Sequence, residues 1–302
     1  NPIITVNIDD EIRPTGSYNA MSINISRNVG DINLNLTNIK YLYLTGTMGV
    51  STKFVAISSP KDLLTYVDAS SLNIDSDTDL ASKAFKDCFK GELNLKEADF
   101  SGLNCETING NAFIDTFRDC SNLKLVNLDN LKGTVIRDWC FQNTFQNCGL
   151  SLLESQFLEV KLSNFQGSTL KTGALYNMFN GAKIQTINLP EFIGGTETNI
   201  TYAMYKMFNN CSSLVEANFP KLSITSDNLS NCGSMFELCG NLLNLTLKSL
   251  DVLKEGDLFK DHIKATNGAL IITTSPAPEP EHEYNSEFFH YHWTQKGLDM
   301  FT

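Results

Sequence analysis

A repeat of about thirty residues runs through most of this sequence and constrains its fold more than any other feature. Seven segments fit the apolar template Leu-x-x-apolar-x-apolar-x-x-Leu, and the second apolar position of the template falls at Ala69, Phe100, Leu128, Phe157, Leu189, Phe219 and Leu247. Successive copies therefore lie 28 to 32 residues apart. A period of this size is typical of repeat architectures, in which each unit buries its apolar stripe against its neighbours.

A second motif, aromatic-x-x-Cys, precedes most copies of the template. It occurs at Phe85/Cys88, Phe117/Cys120, Phe145/Cys148, Phe208/Cys211 and Phe236/Cys239, and Ala182 replaces the cysteine after Phe179. Another apolar residue lies four positions before each phenylalanine, and spacings of four and three place all of them on one face of a helix. Each unit is therefore predicted to contain a short helix, a tight turn and a short strand.

These units predict an α/β solenoid with a parallel sheet, short helices on the other side and a β-rich amino-terminal cap. We place the cap at residues 1–37, about eight repeat units at residues 38–273, and a proline-rich linker with a tail at residues 274–302. A β-sandwich is the alternative. Its strands recur every 8 to 12 residues, however, so a period near thirty favours the solenoid.

The phrases that recur at residues 207–214, 116–123 and 235–242 are MFNNCSSL, TFRDCSNL and MFELCGNL. They resemble the BspA-like leucine-rich repeats of bacterial cell-surface and secreted proteins, and the resemblance covers residues 38–273. It implies a leucine-rich-repeat-like solenoid, export from the cell, and binding or adhesion without catalysis. The repeat is longer than the 20 to 29 residues of ordinary leucine-rich repeats, and extra residues separate Cys88 from Leu95.

The net charge of the chain limits the classes of partner that it could bind. Its formal net charge is -11, from 34 acidic and 23 basic residues, and no cluster of lysine and arginine could hold phosphates. We therefore expect no nucleic-acid partner, and no apolar run is long enough for a membrane span.

Because the chain begins with Asn1, we expect a removed upstream segment, which could have carried a lipid anchor. The expected protein is a monomer at the cell surface or secreted.

The eight cysteines are expected to be free, buried thiols. On a helix, Cys232 and Cys239 would lie about 10 Å apart, which exceeds the roughly 7 Å between Cα atoms that a disulfide tolerates. Neighbouring repeats would hold the column of cysteines about 8 to 10 Å apart, which is again too far. A single bridge that involves Cys105 or Cys140 is the alternative.

No catalytic or metal-binding motif is complete. His290 and His292, with the nearby acidic residues, could bind a transition metal, but a solvent-facing tail is the favoured interpretation. A calcium-loop-like run from Asn73 to Asp79 has Thr78 where glycine is needed and Ala84 where glutamate is needed. No nucleophile elbow, zinc-protease motif or phosphate loop is present, so we expect neither an enzyme nor a cofactor.

Side chains between the buried strand positions are expected to form a solvent-facing surface. One column reads Tyr43, Asp68, Asp99, Asn127, Gln156, Asn188, Asn218 and Thr246, and its neighbour reads Tyr41, Tyr66, Glu97, Leu125, Glu154, Thr186, Glu216 and Asn244. The favoured interpretation is a solvated sheet with amide ladders between repeats. The functional hypothesis is a protein-binding surface, with capture of a polysaccharide for glycan uptake as the alternative. Its candidate residues are Tyr41, Tyr43, Tyr66, Asp68, Glu97, Asp99 and Asn127.

Overall fold

The structure is a computed structural model of the full chain. It describes residues 3–6, 11–12, 20–26, 30–58, 63–75, 79–196, 200–225, 229–251, 271–274 and 291–292. These residues form mostly parallel β-sheet in a repeat arrangement, and within them helix is nearly absent. The predicted boundaries at residues 37 and 273 stay predictions.

The described strands are short and recur along the chain. They are β1 (Ile3–Val6), β2 (Glu11–Ile12), β3 (Ala20–Ile25), β4 (Asp31–Asn35), β5 (Tyr41–Met48), β6 (Lys53–Ser58), β7 (Tyr66–Ile74), β8 (Glu97–Asp99), β9 (Thr107–Ile108), β10 (Leu125–Asn127), β11 (Val135–Ile136), β12 (Glu159–Lys161), β13 (Thr169–Leu170), β14 (Thr186–Asn188), β15 (Glu216–Thr225), β16 (Asn244–Asp251), β17 (Ile271–Thr274) and β18 (Tyr291–His292). One helical turn, α1 (Leu229–Cys232), lies among the described residues.

Two sheets carry the strands that the apolar template predicted. The first has the order β1-β3-β5-β7-β8-β10-β12 and the second the order β14-β15-β16-β17-β18. The strand pairs within these two sheets are parallel except for β17 with β18, which is antiparallel. Two smaller parallel sheets have the strand orders β2-β4-β6 and β13-β11-β9. The predicted parallel sheet is confirmed.

The fourth template copy was placed in the wrong register. The template puts Phe157 in the strand, but Val160 pairs with Val126, and Glu159 and Lys161 occupy the two outward columns. Glu154 and Gln156 instead lie in a loop before β12. The predicted frame assigns Leu152, Ser155, Phe157 and Val160 to the four template positions, and this frame is incorrect. The extra residues of this repeat therefore form a loop outside the sheet.

The predicted helices are wrong, because the segments before each strand are chains of four-residue turns. The N–H of Ala84 donates to the carbonyl of Ala81 at 3.2 Å, whereas the N–H of Phe85 donates to the carbonyl of Ala112 in the next repeat at 2.8 Å. This alternation continues along the segment, so every second N–H joins neighbouring repeats. An α-helix would keep all these bonds within itself, from each N–H to the carbonyl four residues back.

Left-handed residues recur at every fourth position of these turns. The third residue of a four-residue turn accepts a positive φ most readily when it is glycine, asparagine or aspartate. In one repeat Asn111, Asp115 and Asp119 have φ of 63°, 53° and 62°. The next repeat has Trp139, Asn143 and Asn147 at φ of 55°, 54° and 58°. The spacing of four in the sequence thus reflects turns and not helical periodicity.

Stacked phenylalanines fill the core between the turn segments and the sheet. Their rings stack from repeat to repeat in two columns, which are Phe54, Phe85, Phe113 and Phe141, and Phe89, Phe117, Phe145, Phe179, Phe208 and Phe236. The sequence alignment of Phe85 with Phe117 is therefore wrong, because Phe89 is the residue that stacks on Phe117. This register places the buried Glu92 at the cysteine position and removes the apparent insertion before Leu95.

All eight cysteines are free and buried, as predicted, including Cys105 and Cys140. The thiols of Cys120, Cys148, Cys211 and Cys239 donate to carbonyls of the preceding repeat at 2.9 to 3.0 Å. Burial raises the pKa of Cys105, Cys232 and Cys239 to about 12. These side chains therefore act as small core residues that also pair with the backbone.

We expect none of these thiols to react in the folded protein. Because a thiolate is the reactive species and burial raises the thiol pKa, a thiol reagent at pH 8 should modify no cysteine in the native state. All eight should react after denaturation without a reductant. A titration with a chromogenic disulfide reagent, with and without denaturant, measures both numbers. Fewer than eight thiols after denaturation would demonstrate a disulfide.

Candidate binding surface

All seven candidate residues lie on one face of the first sheet. The pairing of β5, β7, β8 and β10 aligns Tyr41, Tyr66 and Glu97 in one column. The adjacent column contains Tyr43, Asp68, Asp99 and Asn127. Since alternate residues of a strand point to the same side, the two columns form one surface. We call these seven residues the tyrosine–carboxylate surface.

Three tyrosines form one end of this surface. Tyr41 is 42 % exposed, and Tyr43 and Tyr66 are half-buried. The rings of Tyr43 and Tyr66 meet edge to face, with their centroids 6.4 Å apart. This contact restrains two large amphipathic side chains, so little conformational entropy is lost when they contact a partner.

Carboxylates surround Tyr66 and give this end a negative field. The pKa of the Tyr66 hydroxyl is raised, first by partial burial and then by the charges of Asp68, Asp99 and Glu97. Each negative charge disfavours the formation of a phenolate beside it. Tyr66 therefore stays a neutral hydrogen-bonding group, and the surface attracts positively charged groups.

The same carboxylates also bond to the backbone two residues later, Asp68 at the register shift within β7 and Asp99 at the end of β8. Asp68 Oδ1 accepts hydrogen bonds from the N–H and the hydroxyl of Ser70 at 2.9 and 2.6 Å. Asp99 Oδ1 accepts one from the N–H of Ser101 at 2.8 Å, and its Oδ2 accepts a weak one from Asn127 Nδ2 at 3.4 Å. Such bonds between a side chain and the backbone fix the direction of each carboxylate.

An amide pair of the kind predicted for these columns lies in the second sheet, between β14 and β15. Asn218 Nδ2 donates to Asn188 Oδ1 at 2.8 Å between adjacent strands. The corrected register also ends the acidic column, because Lys161 follows Asn127 where the sequence placed Gln156. Asp68, Glu97 and Asp99 are the acidic residues next to the tyrosines, and Glu159 follows Leu125 in the other column.

A cleft that sequence reasoning missed lies beside the second sheet. Its volume is about 420 Å³, and it is lined by Glu154, Phe157, Lys183, Gln185, Ser213, Val215, Gly240, Asn241 and Leu243. Gln185, Val215 and Leu243 directly precede β14, β15 and β16, while Glu154 and Phe157 belong to the loop before β12. The irregular length of the fourth repeat was the available signal, but alignment to a fixed template concealed it.

A row of aromatic rings on the turn segments was also missed. Trp139 packs against Tyr176 at 5.7 Å, Tyr176 stacks on Tyr205 at 5.8 Å, and Tyr205 meets Tyr202 at 5.3 Å. Tyr202 is 47 % exposed. A side chain at Gly173 would clash with the Trp139 ring, because a Cβ there would lie 2.2 Å from it. The glycine therefore permits the close packing of the tryptophan.

The described ranges of the chain contain no group of three or more histidine, cysteine or acidic residues that could hold a metal ion. The side chains of His282, His290 and His292 lie outside them, as do Asp77 and Thr78 of the calcium-like run. No helix in the described part of the chain has the length and apolar character needed to cross a membrane.

No family model and no curated protein matches this chain. The resemblance to BspA-like repeats therefore rests on the recurring sequence phrases alone. Together with the geometry of the tyrosine–carboxylate surface, this resemblance supports the function that we propose for the protein.

Proposed function

We propose that the protein is a non-catalytic binding module that recognises a protein partner through the tyrosine–carboxylate surface. The observation that carries this proposal is the register of β5, β7 and β8, which brings three tyrosines and three carboxylates together on one sheet face. Aromatic side chains in a restrained cluster commonly dominate the free energy of protein binding. The acidic side chains favour a partner that presents lysine or arginine around an apolar patch.

The overall arrangement that we propose is a leucine-rich-repeat-like solenoid, similar to the BspA-like group. Parallel strands in register and backbone bonds between successive turn segments support it, since both join each unit to its neighbours. With this likeness we propose that the protein acts at a bacterial cell surface or after secretion. An adhesion role is consistent with a rigid, extended sheet face.

Replacing Tyr41, Tyr43 and Tyr66 together with alanine should weaken partner binding at least 100-fold. Loss of central aromatic anchors commonly costs about 2 kcal/mol or more each, although such losses are not additive. Binding is measured on an array of purified matrix proteins, bacterial surface proteins and glycans, followed by surface plasmon resonance on each protein that binds. Circular dichroism of the triple variant should match that of the parent, because none of the three side chains is fully buried.

A matched control replaces a tyrosine outside this surface, Tyr176, with phenylalanine and should leave binding unchanged. Undiminished binding by the triple alanine variant would refute the proposed surface. Binding to glycans alone, with loss in the triple variant, would refute the choice of a protein partner.

A further inference from the structure

The cleft beside β14, β15 and β16 has a wall that the ordinary repeat lacks. The loop before β12 is longer than its counterparts, since Val160 follows its pairing partner Val126 by 34 residues. Turn bonds organise the loop, because Leu152 N–H donates to Gly149 and Gln156 N–H donates to Leu153. Phe157 and Glu154 of this loop face the starts of three strands across the cleft.

Lys183 fastens this loop to the next repeat. Its Nζ donates to the carbonyls of Leu152 and Leu153 at 2.9 and 2.8 Å and lies 5.6 Å from the centroid of the Phe157 ring. The N–H of Leu158 donates to the carbonyl of Lys183 at 2.8 Å. The wall is thus held in place before any ligand arrives, which reduces the entropy lost on binding.

The backbone carbonyls at the starts of the strands that line the cleft are already bonded to the next strand, so recognition there falls to side chains. The Gln185 carbonyl already accepts from Val215 N–H at 2.8 Å, and the Val215 carbonyl accepts from Leu243 N–H at 2.9 Å. The Asn241 amide is oriented by its bond to the Ser212 carbonyl at 2.7 Å. Phe157, Val215 and Leu243 supply apolar surface, while Glu154, Gln185, Ser213 and Asn241 supply polar groups.

This lining selects against several ligand classes. Lys183 is the cation that lines the cleft, and its ammonium is directed to two backbone carbonyls while Glu154 adds a negative charge, so anions are disfavoured. A hydrocarbon chain would bury the amides and the carboxylate without hydrogen bonds, which is unfavourable. A neutral ring with an apolar face and hydroxyl groups at its rim matches both halves of the lining. The volume of about 420 Å³ lies within the usual range for small-molecule sites.

We propose that this cleft binds a neutral pyranose sugar residue. The C–H face of the ring packs on Phe157, Val215 and Leu243. Its hydroxyl groups exchange hydrogen bonds with Gln185, Ser213 and Asn241 and donate to the carboxylate of Glu154. The site is separate from the tyrosine–carboxylate surface and does not depend on the proposed protein partner.

Saturation-transfer and chemical-shift NMR on the intact chain test this site. The probes are glucose, galactose, mannose and N-acetylglucosamine, then maltose and cellobiose, each up to about 10 mM, a concentration suited to weak sites. At least one neutral sugar should bind. Tighter binding of a disaccharide identifies a residue within a chain as the ligand, and equal binding identifies the single sugar; both results support the site.

Two cleft variants and one control complete the experiment. Gln185 is exposed, so Gln185→Ala should fold normally and weaken sugar binding about fivefold through the lost hydrogen bond. Gln185→Trp should block the cleft and abolish binding. Gln142 lies on a turn segment outside the cleft, so Gln142→Ala should bind sugar like the parent protein. Absence of binding by every neutral sugar, preference for glucuronate or inorganic phosphate, or full binding by Gln185→Trp would overturn the proposal.

Discussion

Replacing Phe145 with alanine is expected to lower the free energy of unfolding by about 3–5 kcal/mol. Phe145 is fully buried and stacks between Phe117 and Phe179, with ring centroids 5.6 and 5.1 Å away. Alanine would leave a cavity between two rings in addition to removing apolar surface from the core. Urea denaturation followed by circular dichroism measures the change.

The surrounding backbone should prevent the cavity from collapsing. The N–H of Phe145 donates to the carbonyl of Met178 at 2.8 Å, and the N–H of Phe117 donates to the carbonyl of Thr144 at 3.0 Å. These bonds hold the spacing of three successive repeats, so the neighbouring rings cannot approach each other. Large losses in mutational series occur where a site cannot relax in this way.

Leu153→Ala provides the matched control for this loss. Leu153 is 69 % exposed in the loop before β12, and its truncation should change the free energy of unfolding by less than about 0.5 kcal/mol. Equal stability of the two variants would contradict the role assigned to the phenylalanine column.

The sequence was sufficient to predict β5, β7, β8 and β10 of the first sheet and their outward columns. Val67, Ala98 and Val126 occupy template positions, and all three are buried and paired in one register. A one-residue slip would bury Asp99 and Asn127, so the apolar pattern determines the register strongly. The placement of Tyr41, Tyr66 and Glu97 in one column follows from this pattern.

The turn segments were misread because a spacing of four suits both helices and chains of four-residue turns. The distinguishing signal was present in the residues between the phenylalanines. Asn111, Asp115 and Asp119 recur at every fourth position, and such residues are weak helix formers that accept a positive φ. Attention to these polar residues would have predicted turns.

The cleft could not be predicted from local pattern. Its walls come from the loop before β12 and from the starts of three later strands, so it exists only after the repeats have stacked. The spacing of Leu152, Phe157 and Val160 also fits the template, and this incorrect frame places the loop inside the sheet. Only pairing with β10 selects Val160 as the buried strand residue.

Gly102→Ala is expected to destabilise the protein by about 3 kcal/mol, at the upper end for overpacking, because its methyl group would meet backbone. A Cβ at this position would lie 2.4 Å from the carbonyl oxygen of Leu72 and 2.6 Å from that of Ser70. Both atoms belong to β7, whose residues pair with β5 and β8. The methyl group could therefore be accommodated only by moving a paired strand.

The comparison that isolates this clash is Gly30→Ala. A Cβ at Gly30 has no atom within 4 Å, so the substitution should be neutral or slightly stabilising through the reduced freedom of the unfolded chain. Thermal and urea denaturation of both variants measure the difference, and equal stabilities would refute the predicted clash.

The displacement of β7 in Gly102→Ala also reaches the proposed binding surface, because Ser70 donates two hydrogen bonds to Asp68. Gly102→Ala should consequently weaken partner binding even at temperatures where the variant stays folded, whereas Gly30→Ala should not.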